Sequence, residues 1–248
     1  MLRRILTCLP LAIASLALAS PPALAQACGP GTLGTSRVMA VSPGSNAHFG
    51  TKSYDRSLPL QPREVVLTFD DGPLPGPTDS VLDSLRRECV KATFFLIGSN
   101  AAANPGYVRR IAAEGHTLAN HSMTHPWTMR TIPHDVAWKN ILDGEAAIEA
   151  AAGRKIAPFF RFPGFADTPG LLDALDKRGI ATFGTDLWAS DWNVMRADTQ
   201  LALVMGRLRK NNGGIVLFHD TKKQTAEMLP GFLAALKQEG FRVVHITP

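Results

Sequence analysis

Asp70 and Asp71 close an apolar, β-branched run, "VVLTFDD". Asp is disfavoured inside strands and is seldom buried without a partner, so the pair is either a solvated turn, as the following Gly72-Pro73 suggests, or a site. Further along, His121 and His125 bracket "HSMTH". If that segment turns into a helix, a spacing of four sets both imidazoles on one face, the arrangement of metal-binding His pairs. A carboxylate from the Asp pair would complete a His₂-carboxylate set with open positions, which suits catalytic Zn²⁺ or a similar divalent ion better than a closed structural site. Adjacent side chains on an extended backbone point to opposite faces. A bend at Gly72-Pro73 would let one carboxylate ligate the ion while the other takes a proton from a water whose pKa the ion has lowered to roughly 7. His219, in "VLFHD", supplies a side chain whose ordinary pKa suits protonation of a departing nitrogen.

Those residues need elements to bring them together. From Glu64 onward, short apolar runs alternate with amphipathic stretches, the pattern of strands alternating with helices. The strand candidates are "VVLTFDD", "KATFFLIG", "HTLANHS", "FFRFPG", "ATFGTDLW", "GIVLFHD" and "FRVVHITP". Helical periodicity covers 78–88, 107–114, 134–152, 170–178, 199–210 and 226–239, and Gly153 is placed to end the third of these. Alternation of this kind predicts an α/β fold with parallel pairing and right-handed crossovers, either an open doubly wound sheet or a closed or partly closed barrel. Both collect ligands at the C-terminal ends of their strands. Asp70-Asp71, His121, Arg161, Asp191 and His219-Asp220 all fall at or beyond such ends, so five of the seven strands deliver ionisable groups to one rim.

The order of these residues resembles the five motifs of the polysaccharide deacetylases, the nodulation-protein-B homology group or carbohydrate esterase family 4. They read "TFDDGP", "HSMTH", "RFPG", "SDWN" and "LFHD", between Glu64 and the C-terminus. The resemblance implies a distorted barrel of seven β/α units and one divalent metal ion, Zn or another such as Co. By motif, Asp71, His121 and His125 match the metal ligands, Asp70 the general base and His219 the general acid. Arg161 matches the residue that orients the base, and Asp191 the partner of the acid histidine. Gly164 matches the backbone N–H that helps to bind the oxyanion, and Trp192 and Leu217 match the groove and the acetyl-methyl pocket. Two places depart from the pattern. Gly164 stands where the family's third motif commonly has Tyr, removing a side-chain wall, and Trp188 stands where the fourth motif often has Asp, with Asp186 two residues earlier.

The implied activity is removal of N-acetyl groups from an amino-sugar polymer such as peptidoglycan or a chitooligosaccharide. The alternatives are cleavage of ester-linked acetyl groups, as on xylan, a barrel that binds carbohydrate without turnover, and an inert envelope protein. Composition excludes other classes. Removing 1–25, read as a signal peptide from Arg3, Arg4, an apolar run and Ala23-Leu24-Ala25, takes two units from a formal charge of +5. The remainder has no Lys/Arg stripe of the kind nucleic acid needs and no membrane span, the leader itself being interrupted by Pro10, Pro21 and Pro22. The expected address is periplasm or medium. Residues 26–63 read as an N-terminal arm or linker and 64–248 as one catalytic domain. Cys28 and Cys89 are either one disulfide tying the arm to the body or, for Cys89, a small buried hydrophobe at helical spacing from Val81, Leu82 and Leu85. A lipid-modified Cys28 is a further alternative. His48, His116, His134 and His245 read as structural or solvated, and Trp127 and Trp138 as packing residues rather than sugar platforms. Polymer identity and oligomeric state stay open.

Overall fold

The computed structural model describes residues 28–42, 44 and 46–248. Residues 1–25, expected from the sequence to be a signal peptide, lie outside the described residues. Seven strands surround the site: β3 (Glu64–Asp70), β4 (Thr93–Leu96), β5 (Thr117–Asn120), β6 (Phe159–Phe160), β7 (Ala181–Phe183), β8 (Leu187–Trp188) and β9 (Gly214–His219). Every ladder is parallel, running β3 to β7 in chain order and closing β8 to β9 to β3. Among the described residues no ladder joins β7 to β8, which makes the barrel distorted. "ATFGTDLW", expected as one strand, is broken here because Gly184, Thr185 and Asp186 leave the sheet to meet the N-terminal segment. The Asp186 carboxylate accepts from Thr51 N–H (2.9 Å) and from Ile215 N–H (2.8 Å).

The segment expected as an arm carries two strands. β1 (Thr35–Ala40) pairs with β10 (Arg242–Thr247), and β2 (His48–Phe49) pairs with β7. β10 in turn bonds the first residues of β3, with Arg242 opposite Glu64, before β4 takes that side of β3 from Thr68 onward. The Arg37 guanidinium grips the buried Glu64 carboxylate with two bonds, 2.8 and 2.6 Å, and Cys28 is disulfide-bonded to Cys89, 61 residues away.

Helices α1 (Pro77–Arg87), α2 (Gly98–Ala103), α3 (Pro105–Ala113), α4 (His134–Ala152), α5 (Pro169–Lys177), α6 (Ala197–Asn211) and α7 (Lys223–Gln238) surround the barrel. Gly153 ends α4 in the left-handed conformation, φ 67°. Among the described residues no helix is long and apolar enough to cross a membrane.

Side-chain alternation divides β3 between two cores. Val65, Leu67 and Phe69 belong to the cluster formed with helix residues such as Val81, Leu85, Leu229 and Phe232. Val66 belongs to the barrel interior with Phe95, Ala119, Phe183 and Ile215. Thr68 and Asp70 continue the interior row. The same alternation in β9 aligns Ile215, Leu217 and His219, and the β3–β9 register sets Asp70 level with His219.

Closing a loop of 61 residues restricts the unfolded chain. Cys89→Ser is expected to lower the unfolding free energy by about 2–4 kcal/mol in urea melts without reductant. Titratable free thiols in the unreduced folded protein would overturn the link.

Candidate active site

The rim expected to collect ionisable groups is a cavity of about 310 Å³ lined by Asp70, His121, His125, Leu217 and His219 together with an aromatic wall. Its deepest charged contact is Arg161, fully buried inside the barrel just beyond β6. Four of its five N–H donors are engaged. Nη1–H donates to Asp70 Oδ1 (2.7 Å) and Thr68 Oγ1 (2.8 Å), Nη2–H to Gly184 O (2.8 Å) and Nε–H to Phe183 O (3.2 Å). Its flat face lies over Phe95, 4.2 Å from the ring centre. Burial pushes the Asp70 carboxyl above its ordinary value, and the charge of Arg161 opposes that shift. Asp70 is therefore a fixed carboxylate with raised basicity.

Asp71 turns toward the same cavity because its backbone is left-handed, φ 75°, a conformation that Asp tolerates better than most residues. This turn, ahead of the cis Gly72-Pro73 bond, brings both carboxylates to His121: Nε2 lies 3.7 Å from Asp70 Oδ2 and 3.6 Å from Asp71 Oδ1. The histidines reach each other without a helix. "HSMTH" is a loop in which Ser122 (φ 70°) and His125 (φ 53°) are left-handed, and the rings meet edge to face at 4.9 Å. The helical expectation for this segment thus gives way to a tight turn pinned on α4. Asn140 Oδ1 accepts from Met123 N–H at 3.0 Å. A Cβ at Gly144 of α4 would fall 2.5 Å from the Ser122 carbonyl carbon, so glycine is required for the helix to approach the loop so closely.

Asp71, His121 and His125 can each aim one ligand atom at a common point, those atoms lying within 4.8 Å of one another. Three observations fit this set to a divalent cation. Asp71 Oδ1 is buried with no hydrogen-bond partner. His121 donates Nδ1–H to Arg161 O at 2.7 Å, leaving Nε2 as a lone pair facing the cavity. Burial holds that imidazole neutral, its pKa lowered to about 3, as a metal ligand must be.

His219 stands across the cavity, its Nε2 3.8 Å from Asp71 Oδ2. Nδ1–H donates to Asp191 Oδ1 at 2.7 Å, while Asp191 Oδ2 accepts from His219 N–H (2.6 Å) and Thr225 Oγ1–H (2.7 Å). Burial alone would lower the pKa of His219. The bond to Asp191 and the charge of that carboxylate, with a smaller effect from Asp71, outweigh it and raise the value to about 9. The ring is thus a protonated acid with Nε2–H facing the cavity. Leu217 lies on the cavity floor, Trp192 packs edge to face on His219, and Gly164 lines the wall.

All ten residues expected at the site therefore sit in or against one cavity. Sequence reasoning missed Trp127, Phe162 and Phe165, which complete its walls together with Trp188 of the fourth motif. Trp127, read as a packing residue, is 74% exposed; its place two residues after His125 was the available signal. The remaining histidines do line other places. His48 bonds Asp176 Oδ1 (3.0 Å), His116 Nδ1 accepts from Ala92 N–H (3.1 Å), and His245 Nε2 bonds Thr117 Oγ1 (2.8 Å).

Comparison with known proteins agrees with this geometry. Residues 58–183 match the family model described as polysaccharide deacetylase. A chitooligosaccharide deacetylase of Bradyrhizobium sp. is 35% identical over 195 residues, covering 73% of this chain and 88% of that protein. The chain belongs to the polysaccharide deacetylases. Within that family it is also 34% identical over 189 residues to a peptidoglycan-N-acetylglucosamine deacetylase of Listeria monocytogenes, covering 74% of this chain but 38% of the relative. The solved peptidoglycan deacetylase of Bdellovibrio bacteriovorus superposes with a TM-score of 0.74 at 30% identity, covering 85% of this chain and 58% of that one.

Two outcomes follow for this deacetylase site. Arg161→Leu leaves Asp70 buried without its cation and is expected to cost about 3–5 kcal/mol of stability, read from denaturant melts; a loss below 1 kcal/mol would show the pair to be solvated. Asp191→Asn removes the charge that keeps His219 protonated. An acid is lost as pH rises through its pKa, so the alkaline limb of the activity profile should move to lower pH, with turnover down about 10²–10⁴-fold. An unmoved limb would show that His219 is not the group titrating there.

Proposed function

We propose that this chain is a metal-dependent hydrolase that removes N-acetyl groups from an N-acetylglucosamine polymer and releases acetate. The observation that carries the reading is the opposition, across one cavity, of a buried carboxylate held by Arg161 and an imidazole, His219, held by Asp191, with the Asp71-His121-His125 set between them. Amide cleavage needs all three parts: a base for water, charge stabilisation at the carbonyl oxygen, and an acid for the amine.

A divalent ion held by Asp71, His121 and His125, zinc by the chemistry of a His₂-carboxylate set, supplies a Lewis acid for the carbonyl and lowers the pKa of a water. Asp70 Oδ2 faces the cavity while Oδ1 is fixed by Arg161, so the free oxygen takes the proton of the attacking water. The backbone N–H of Gly164 offers a donor to the oxygen that gains charge as the tetrahedral centre forms. His219 Nε2–H then passes its proton to the amino nitrogen as the carbon–nitrogen bond breaks, and Asp191 holds the ring in the tautomer that can do so. Leu217 provides an apolar lining against which an acetyl methyl group can pack.

The relatives named above act on chitooligosaccharide and on peptidoglycan N-acetylglucosamine. Both polymers present the same acetamido sugar, which is the substrate class proposed here. The leader at 1–25 fits export to the compartment where such polymers lie.

The test is acetate release by residues 26–248 from chitooligosaccharides, peptidoglycan and acetylated xylan, with chelator-treated and Zn²⁺-restored samples compared. Metal-restored release is expected from an N-acetylated member, and Asp71→Ala should lose at least about 10²-fold in turnover while remaining folded by circular dichroism. Release from xylan alone would replace the amide reading with the ester one. Full turnover by folded Asp71→Ala would remove the ligand assignment.

A further inference from the structure

Resting on the deacetylase reading, we propose that Trp127 is a substrate-binding wall of this chain, against which a pyranose ring of the polymer packs, and that Gly164 is small so that the indole can stand there. A Cβ built at Gly164 would fall 2.9 Å from Cε3 and 3.0 Å from Cζ3 of Trp127. The indole therefore occupies the space that a side chain at 164 would enter. The wall missing at Gly164 is supplied by another loop.

That loop is built to present the ring. Met129, two residues on, is buried with Phe160 and Phe162. Arg130 reaches across to the segment carrying Gly164, donating Nη2–H to Phe165 O (2.9 Å) and Nε–H to Asp167 O (3.0 Å). Trp127 packs edge to face on His125 at 4.6 Å, yet remains 74% exposed. A large apolar ring held open to water by an anchored loop at a cavity mouth marks a ligand surface. Trp192, 46% exposed, does the same beside His219. The two indoles flank the metal-ligand side and the acid side of one cavity, and the ligand whose chemistry suits such flanks is a sugar ring with an apolar C–H face and polar edges.

The experiment measures the Kd of an N-acetylated chitooligosaccharide by calorimetry in a Zn²⁺-loaded Asp70→Asn background, where turnover is blocked, with zinc content determined for every protein. If Asp70→Asn does not fold, chelator-treated wild-type protein serves as the background. Trp127→Ala is expected to raise Kd about tenfold and Trp127→Phe to raise it less. Gly164→Ala should weaken binding when Trp127 is present, and that cost should shrink in the Trp127→Ala chain. Backbone strain at φ 55° is common to both arms and cancels in the cycle.

An unchanged Kd in Trp127→Ala, equal Gly164→Ala costs in both chains, or no binding of the oligosaccharide by either chain would overturn the proposal. So would a Trp127→Ala defect that vanishes on saturation with zinc, which would place the effect on His125. Acetate release by the wild-type protein, measured in parallel, reports the activity reading separately: binding that depends on Trp127 without release would remove the activity and keep the wall.

Discussion

The site depends on a cation buried without water. Arg161 has no exposed surface, and a guanidinium in that position is tolerable only if nearly all its donors are used and a carboxylate faces it. The barrel meets the requirement with two backbone carbonyls from the break after β7, a threonine hydroxyl and Asp70. In return, Arg161 fixes three things at once. It locks one oxygen of Asp70, its carbonyl oxygen sets the tautomer of His121, and its bonds to Phe183 O and Gly184 O hold the strand break that opens the barrel. Base, metal ligand and barrel distortion are thus parts of one hydrogen-bonded unit.

The strand ends were legible because period-2 alternation and parallel pairing force interior-facing residues to a shared rim. Once "VVLTFDD" and "GIVLFHD" are read as strands of one parallel sheet, Asp70 and His219 can end level, as their register shows. What could not be read is how loops turn. The His pair reaches its geometry through left-handed Ser122 and His125, held by Asn140 and by the flat surface at Gly144. None of these contacts has a periodic signature, whereas four-residue spacing offers a helix as the simpler solution. The strands at Thr35–Ala40 and His48–Phe49 escaped for a related reason. Gly, Pro and Ser dominate their surroundings, and in β1 burial alternates where hydropathy does not, the inward side carrying the polar Arg37 and the exposed side the apolar Val38.

The two motif departures have different physical meanings. Asp186 is shielded and spends its oxygens on Thr51, Ser57 and Ile215, so it ties the N-terminal segment to the barrel instead of facing the cavity. Trp188 turns to the cavity and packs on Trp192 at 5.8 Å. The fourth-motif position is thereby aromatic, and the nearby carboxylate of Asp186 serves the fold. At the third motif the loss of a side chain at 164 is matched by Trp127. An indole thus stands on each side of the central chemistry, Trp188 at the fourth-motif position and Trp127 in the space beside Gly164.

The electrostatic balance of the cavity explains why that central chemistry calls for a divalent ion. Two carboxylates approach one neutral imidazole, and a third, Asp220, lies beneath Gly72 with burial raising its pKa to about 7. Arg161 answers the charge of Asp70, while protonated His219 is shared between Asp191 and the more distant Asp71. Asp71 Oδ1 is left facing the ring nitrogens of His121 and His125 with no hydrogen-bond donor of its own. Left-handed backbone at Asp71, Ser122 and His125 costs about 1 kcal/mol at each residue, and all three belong to the turns that aim the ligand atoms. A set of ligand atoms converging on one point with Asp71 Oδ1 unbonded, held by strained turns, is unfavourable as a folded element alone. It becomes favourable when a cation binds the native arrangement more tightly than the unfolded chain, so the energy that completes the site also offsets the strain that shapes it.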